Sequence, residues 1–165
     1  MRLLVFRHGI AEDHAADGTD ASRVLTGQGV ERTRAAARGL AAFADPPDVI
    51  LSSPKTRALQ TAREAGAAFG RDVEVLAALA DGPPAETLRV LAARTEETVM
   101  IVGHEPMLSE LVEQACTGVR RLGFVDMRKA GCACIDIAFA PGGEPAGAAL
   151  LWLATPKMLR GLEPG

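Results

Sequence analysis

The sequence predicts an α/β fold: a single-domain, three-layer α/β/α arrangement whose sheet is mostly parallel, with an antiparallel C-terminal addition. Three observations predict it. Short apolar runs alternate with segments of helical spacing through the first two thirds of the chain. Several of these runs are followed at once by a polar group that can open a helix. The last third changes character, with two strand-like runs flanking Pro141-Gly142-Gly143. The 165 residues are read as one domain, residues 1–165, long enough for a full hydrophobic core, and no internal repeat is visible.

Each element has its own signal. Arg2 to Phe6 is an apolar run of the size of a buried strand. Residues 10 to 24 are polar and read as a loop. Thr26 can cap a helix running to about Phe43, with Val30, Thr33, Ala37 and Leu40 on one stripe, and Asp45-Pro46-Pro47 stops it. Val49 to Leu51 is the second strand. Ser53 is expected to cap, and Pro54 to open, a helix to about Phe69 whose stripe is Ala58, Ala62, Ala65 and Phe69. Val73 to Leu76 is a short third strand, and Pro83-Pro84 starts a helix from Ala85 to about Ala93. Thr98 to Val102 is a strongly apolar strand. Glu105-Pro106 opens a helix with Met107, Leu108, Leu111, Val112 and Ala115 at helical spacing. Cys132 to Phe139 and Ala148 to Ala154 form a hairpin, with Phe139 and Trp152 expected in the core.

Composition narrows the function. Hydrophobic residues make up 48% and charged residues 24%, as in ordinary globular proteins, and the formal net charge is -3. Nucleic-acid binders are more often basic, so no nucleic-acid partner is expected, and any phosphate site must be a local cluster of cations. Arg7 and His8 interrupt the N-terminal apolar run too early for a signal peptide, and no stretch approaches the roughly 18 apolar residues of a membrane helix. The three cysteines read as small buried hydrophobes; Cys132 and Cys134 lie on one face of a strand, poorly placed to bridge. The three histidines are scattered, which argues against a metal site. The expectation is a cytoplasmic protein without metal or other cofactor.

Three polar groups follow predicted strands. Arg7-His8-Gly9 ends the first, Ser52-Ser53-Pro54-Lys55-Thr56-Arg57 follows the second, and Gly103-His104-Glu105-Pro106 follows the fourth. Sites in open α/β sheets form outside the carboxyl ends of the strands, so one crevice could collect Arg7, His8, Arg57 and His104. Neutral histidine is a nucleophile near pH 7, and arginine offers paired donors to phosphate oxygens. A protonated second histidine would add a donor, and Gly9 would let the backbone pass close to substrate. His8 is therefore assigned as nucleophile, with Arg7, Arg57 and His104 binding a phosphoryl group. Ser22 and Arg23 could also touch substrate, and Glu105 could orient His104 or favour its helix N-terminus. His14 has no evident partner.

These residues resemble a known family. Met1 to Gly9, Ser53 to Ala62 and Val102 to Pro106 are similar to the opening signature, the second arginine motif and the second histidine motif of the histidine phosphatase superfamily, with its phosphoglycerate-mutase-like fold. Leu25-Thr26-Gly27-Gln28-Gly29 is similar to the family's entry to its first helix. The ending Pro156-Lys157-Met158-Leu159-Arg160 resembles the small bacterial SixA-type branch, phosphohistidine phosphatases. The resemblance implies that His8 is phosphorylated and then hydrolysed by water, with no metal or organic cofactor.

Larger members of that superfamily carry an acid after the third strand to protonate the leaving oxygen. Here the region reads Leu79-Ala80-Asp81-Gly82-Pro83-Pro84-Ala85-Glu86, without the family's acid motif. Asp81 is the nearest candidate general acid and Glu86 the second. The plainer readings place Asp81 in a turn and Glu86 in a helix's first turn. Without an acid, the substrate needs a leaving group that departs as a neutral species, and phosphohistidine does so as imidazole. The absence of a long insertion suits an open crevice and a phosphorylated signalling protein as partner. The alternatives are a phosphomonoesterase using Asp81 or Glu86, and a non-catalytic phosphate-binding module.

Overall fold

Leu3 and Val5 face one side of the first strand, Leu4 and Phe6 face the other, and all four are buried. A strand covered on both faces is what a continuous apolar run requires. The structure is a computed structural model that describes residues 1–164. Its strands are β1 (Arg2–Arg7), β2 (Val49–Ser52), β3 (Val73–Val75), β4 (Thr98–Gly103), β5 (Cys132–Phe139) and β6 (Pro145–Ala154). They form one sheet in the order β3-β2-β4-β1-β5-β6. β1 to β4 pair in parallel, while β5 and β6 are antiparallel additions beside β1.

Helices α1 (Gly27–Ala41), α2 (Thr56–Phe69) and α6 (Pro156–Gly161) cover one face of the sheet. Helices α3 (Ala78–Asp81), α4 (Pro84–Ala92) and α5 (Met107–Thr117) cover the other. This is the expected three-layer arrangement. The stripes read from spacing are mostly buried: Thr33, Ala37 and Leu40 on α1, Ala58, Ala62 and Ala65 on α2, and Leu108, Leu111, Val112 and Ala115 on α5, while Val30, Phe69 and Met107 at their ends are half-buried. Each fully buried Leu or Ile stabilises the fold by roughly 1.5–3 kcal/mol. Thr26 caps α1 as expected, its Oγ1 accepting from the Gly29 N–H at 2.8 Å.

Four expectations need correction. Helix α2 begins at Thr56, not at Pro54, and its N-cap is Lys55, because the Ser53 hydroxyl is used elsewhere. Asp81 ends the short helix α3 rather than sitting in a turn, since the apolar Ala78 and Leu79 bury against the sheet. β6 begins at Pro145, so the hairpin closes directly after Pro141-Gly142-Gly143, with the Ala140 N–H donating to the Glu144 carbonyl at 2.9 Å. Phe139 and Trp152 pack against the core but are only half-buried, Phe139 because it ends β5 beside the hairpin turn and Trp152 because β6 is the sheet edge; Trp152 packs on Phe43 with ring centroids 4.9 Å apart.

The C-terminal segment docks on the body. Thr155 caps α6, and Leu159 is fully buried against α1. Contact is close because Gly39 of α1 has no side chain: a Cβ there would lie 1.8 Å from the Leu159 carbonyl oxygen. Cys132 and Cys134 are free thiols buried on one face, as read from the sequence, and Cys116 is free as well. Among the described residues no helix is long and apolar enough to cross a membrane.

Candidate active site

Strand register decides which residues meet. Arg7 pairs with Gly103, and Ser52 pairs with Val102, so β1, β4 and β2 end together at one edge of the sheet. His8, His104 and Ser53 are the residues that follow these strands. The His8 and His104 rings lie 5.0 Å apart between centroids, tilted by 51°. Arg57 comes from the first turn of α2 and is 6% exposed, and its charge acts on both imidazoles. The charge of Arg7, the last residue of β1, also acts on His8. The four residues singled out from the sequence are thus brought together.

Hydrogen bonds set the state of the rings. His8 Nδ1 lies 2.7 Å from the Gly9 carbonyl oxygen. A carbonyl only accepts, so Nδ1 holds the proton and Nε2 keeps the lone pair. Burial, followed by Arg57, Arg7 and Lys129, pushes His8 down to about 4 against the opposing Gly9 hydrogen bond. His104 Nε2 is hydrogen-bonded to the Ser53 hydroxyl at 2.8 Å. Burial, His8, Arg57 and Lys55 together lower His104 to about 3. Both rings are therefore neutral at pH 7 in the protein alone. Nδ1 of His104 is buried without a hydrogen-bond partner among the described residues.

The arginines are oriented by the loops. Arg7 Nη1 donates to the Met127 carbonyl at 2.5 Å. Arg57 donates to the Asp20 carbonyl at 2.6 Å and to the Asp20 carboxylate at 2.9 Å. Asp20 also accepts from Arg23 at 2.9 Å and from Lys55 Nζ at 3.3 Å. These contacts, with Arg57 the main one, hold the Asp20 carboxyl far below the usual carboxylate range. The site opens into a crevice of about 610 Å³ bordered by Arg57, His104, Lys55, Asp20 and Glu105. Arg7 does not line this crevice but a second groove on the α1 side.

The weaker expectations fare unevenly. Asp81 stands at the crevice rim, 80% exposed, and accepts from Lys55 Nζ at 2.8 Å. Glu86 lies in the first turn of α4 and does not line the crevice. Gly9 is also needed for close packing on α1: a Cβ there would meet the Thr33 hydroxyl at 2.1 Å. Arg23 is spent on the Glu12 carbonyl and Asp20, and Ser22 on Asp17 and Thr19. His14 is exposed. Glu105 is half-buried in the crevice wall, and that burial raises its carboxyl. Sequence reasoning missed Asp20 and Lys55 and gave Ser53 a different task. Only the position of Ser53 directly after a strand hinted at the site.

The chain belongs to the histidine phosphatase superfamily. The family model for histidine phosphatase superfamily branch 1 matches residues 3–82, which hold Arg7, His8 and Arg57. An uncharacterised protein of Picosynechococcus sp. is 33% identical over 147 residues, covering 79% of this chain and 82% of that one. The phosphohistidine phosphatase SixA of Escherichia coli is 31% identical over 124 residues, covering 72% of this chain and 76% of SixA. The solved structure of the protein histidine phosphatase SixA complexed with tungstate superposes with a TM-score of 0.79 at 26% identity, covering 95% of this chain and 98% of that one. Family and fold together place this chain among the phosphatases.

Proposed function

We propose that this protein hydrolyses phosphohistidine on a partner protein, through a phosphoryl intermediate on His8. The observation that carries the reading is the Nδ1–H of His8 donating to the Gly9 carbonyl, which leaves Nε2 as a buried, unprotonated nucleophile among cations. Nε2 attacks phosphorus, the bond from phosphorus to the substrate nitrogen breaks, and that nitrogen keeps the electron pair. The substrate ring carries its proton on the other nitrogen, so it leaves as neutral imidazole. Water then attacks phosphorus, giving orthophosphate and restoring His8. The Gly9 carbonyl supports the positive charge on the His8 ring while it is phosphorylated, and so makes His8 a good leaving group in turn.

Arg7 and Arg57 hold the phosphoryl oxygens as charge spreads over them. The dianion opposes the causes that depress His104, so its protonated form, expected from the sequence, belongs to the complex. A phosphate ester would need a proton donor. Asp81 is poorly suited, being exposed and engaged as acceptor by Lys55, and Glu86 lies outside the crevice lining. Those facts favour a substrate that supplies its own leaving-group proton. The names of the SixA relatives agree with this reading.

The test is turnover of phosphohistidine beside a panel of phosphate monoesters. The reading expects phosphohistidine to be preferred. Turnover of monoesters alone, abolished by Asp81→Asn, would overturn it in favour of a phosphomonoesterase. Tight phosphate binding with no turnover of either would instead make this a binding module.

A further inference from the structure

On the α1 side of the site lies a groove of about 390 Å³, and six cations line it: Arg7, Arg32, Arg128, Lys129, Lys157 and Arg160. The other lining residues are neutral, and none is a carboxylate. The chain has 18 Lys and Arg against 21 Asp and Glu, so a third of its basic residues face one groove of an acidic protein. Folding produces this concentration. Arg32 comes from α1, Arg128 and Lys129 from the segment leading into β5, and Lys157 and Arg160 from α6. The close seating of Leu159 on Gly39 sets α6 beside α1 and so brings the three sources together.

These charges are largely uncompensated. Arg32, Lys157 and Arg160 make no ion pair among the described residues. Arg128 pairs with Asp126 at 2.8 Å, but both side chains are about 70% exposed, so the pair is weak and exchangeable. Arg7 belongs both to this groove and to the phosphoryl site, and joins the two.

We propose that the groove docks the acidic face of the protein substrate, Asp and Glu residues flanking the phosphorylated histidine. The proposal rests on the reading of the site as one that acts on phosphohistidine in a protein. The form of the groove argues for such a partner. Its cations sit on exposed or half-exposed side chains from separate segments, which suits charge spread over a surface. A small anion would need convergent buried donors. The lining holds no aromatic side chain for base stacking, so a nucleic acid is poorly served. Charge complementarity of this kind raises the association rate and aligns the partner, and salt weakens it.

The test uses three probes: phosphoimidazole, a phosphohistidine peptide flanked by Glu, and the same peptide flanked by Ser. At low salt the Glu-flanked peptide is expected to show a kcat/KM about tenfold above the Ser-flanked one, fading at about 0.5 M salt. The triple variant R32E/K157E/R160E should lose that preference while turning over phosphoimidazole as the parent does. The Ala triple variant, which adds no repulsion, should lose most of it. Equal kcat/KM for the two peptides, or a preference retained in both triple variants, would overturn the docking proposal. So would groove-dependent binding to phosphatidylserine vesicles without any peptide preference. Direct binding of the unphosphorylated Glu-flanked peptide separates the two ideas. If no probe is turned over but this binding is present and lost in the triple variants, the groove stands and the catalytic reading falls.

Discussion

Nδ1 of His8 donates to the carbonyl oxygen of Gly9, its own neighbour in sequence, at 2.7 Å. This contact fixes ring and tautomer together, and leaves Nε2 unprotonated, as the proposed mechanism requires. His8→Ala is therefore expected to lower turnover by about a thousandfold or more. It should also abolish an acid-labile phosphoryl label on the protein during turnover. Retention of full activity would remove His8 from the mechanism.

The two depressed histidines make stability depend on pH. His8 titrates at about 4 and His104 at about 3 in the folded protein, against 6.5 as the ordinary value. Above pH 6.5 neither state binds these protons. As pH falls below 6.5 the unfolded chain takes up protons that the folded site refuses, so stability drops. The loss due to His8 is about 3 kcal/mol once pH falls below its folded value. Asp20, held low by Arg57, extends the decline further into the acid range. Urea unfolding from about pH 7 down to about pH 4 should show a falling midpoint, and His8→Asn should flatten it. A flat profile for the parent would contradict the burial argument.

Ser53 acts through His104. Its hydroxyl is bonded to His104 Nε2 at 2.8 Å and accepts from the Lys55 N–H at 3.3 Å. Ser53→Ala should lower kcat about tenfold and stability by about 1 kcal/mol, with the pH profile of kcat shifted because His104 loses a partner. An unchanged pH profile would leave Ser53 with a packing role alone.

Asp20 holds the guanidinium expected to bind phosphate. It accepts from Arg57, Lys55 and Arg23, so its carboxylate competes with an incoming anion for the same donors. Asp20→Asn should tighten inhibition by orthophosphate about threefold to tenfold. Weaker inhibition would mean that Asp20 serves mainly to orient Arg57.

Glu113 is a stability determinant away from the site. It is 1% exposed and accepts from the backbone N–H groups of Leu122, Phe124 and Val125 at 2.7, 2.9 and 3.2 Å. Glu113→Ala leaves those donors without their partner and should cost on the order of 3 kcal/mol. The measurement is the shift in urea midpoint. A change below about 0.5 kcal/mol would show that water replaces the carboxylate.

Local patterns are legible in the sequence where one residue type does one job. The apolar runs of β1, β2 and β4 must be covered on both faces, which requires helices on both sides of the sheet. Thr26 caps α1 because the Gly29 N–H, three residues on, lies within reach of its hydroxyl. Ser53 departs from its local reading for the opposite reason. Spacing suggests that it caps a helix, but a partner distant in sequence, His104, engages its hydroxyl, and Gly9 likewise packs on Thr33, which no local pattern indicates. Trp152 looks like core in sequence, and only the strand order reveals that β6 is an edge.

By itself the sequence determined the layers, the strand ends and the gathering of Arg7, His8, Arg57 and His104 near one edge of the sheet, because strand and helix periods and helix-opening residues are local properties of the chain. Tertiary structure decided that Asp20 lies on Arg57, that Lys55 engages Asp81, and that α6 completes a basic groove beside Arg7. These depend on pairings between segments far apart in the chain. No local pattern encodes them, since burial and electrostatics act on whatever the fold brings together.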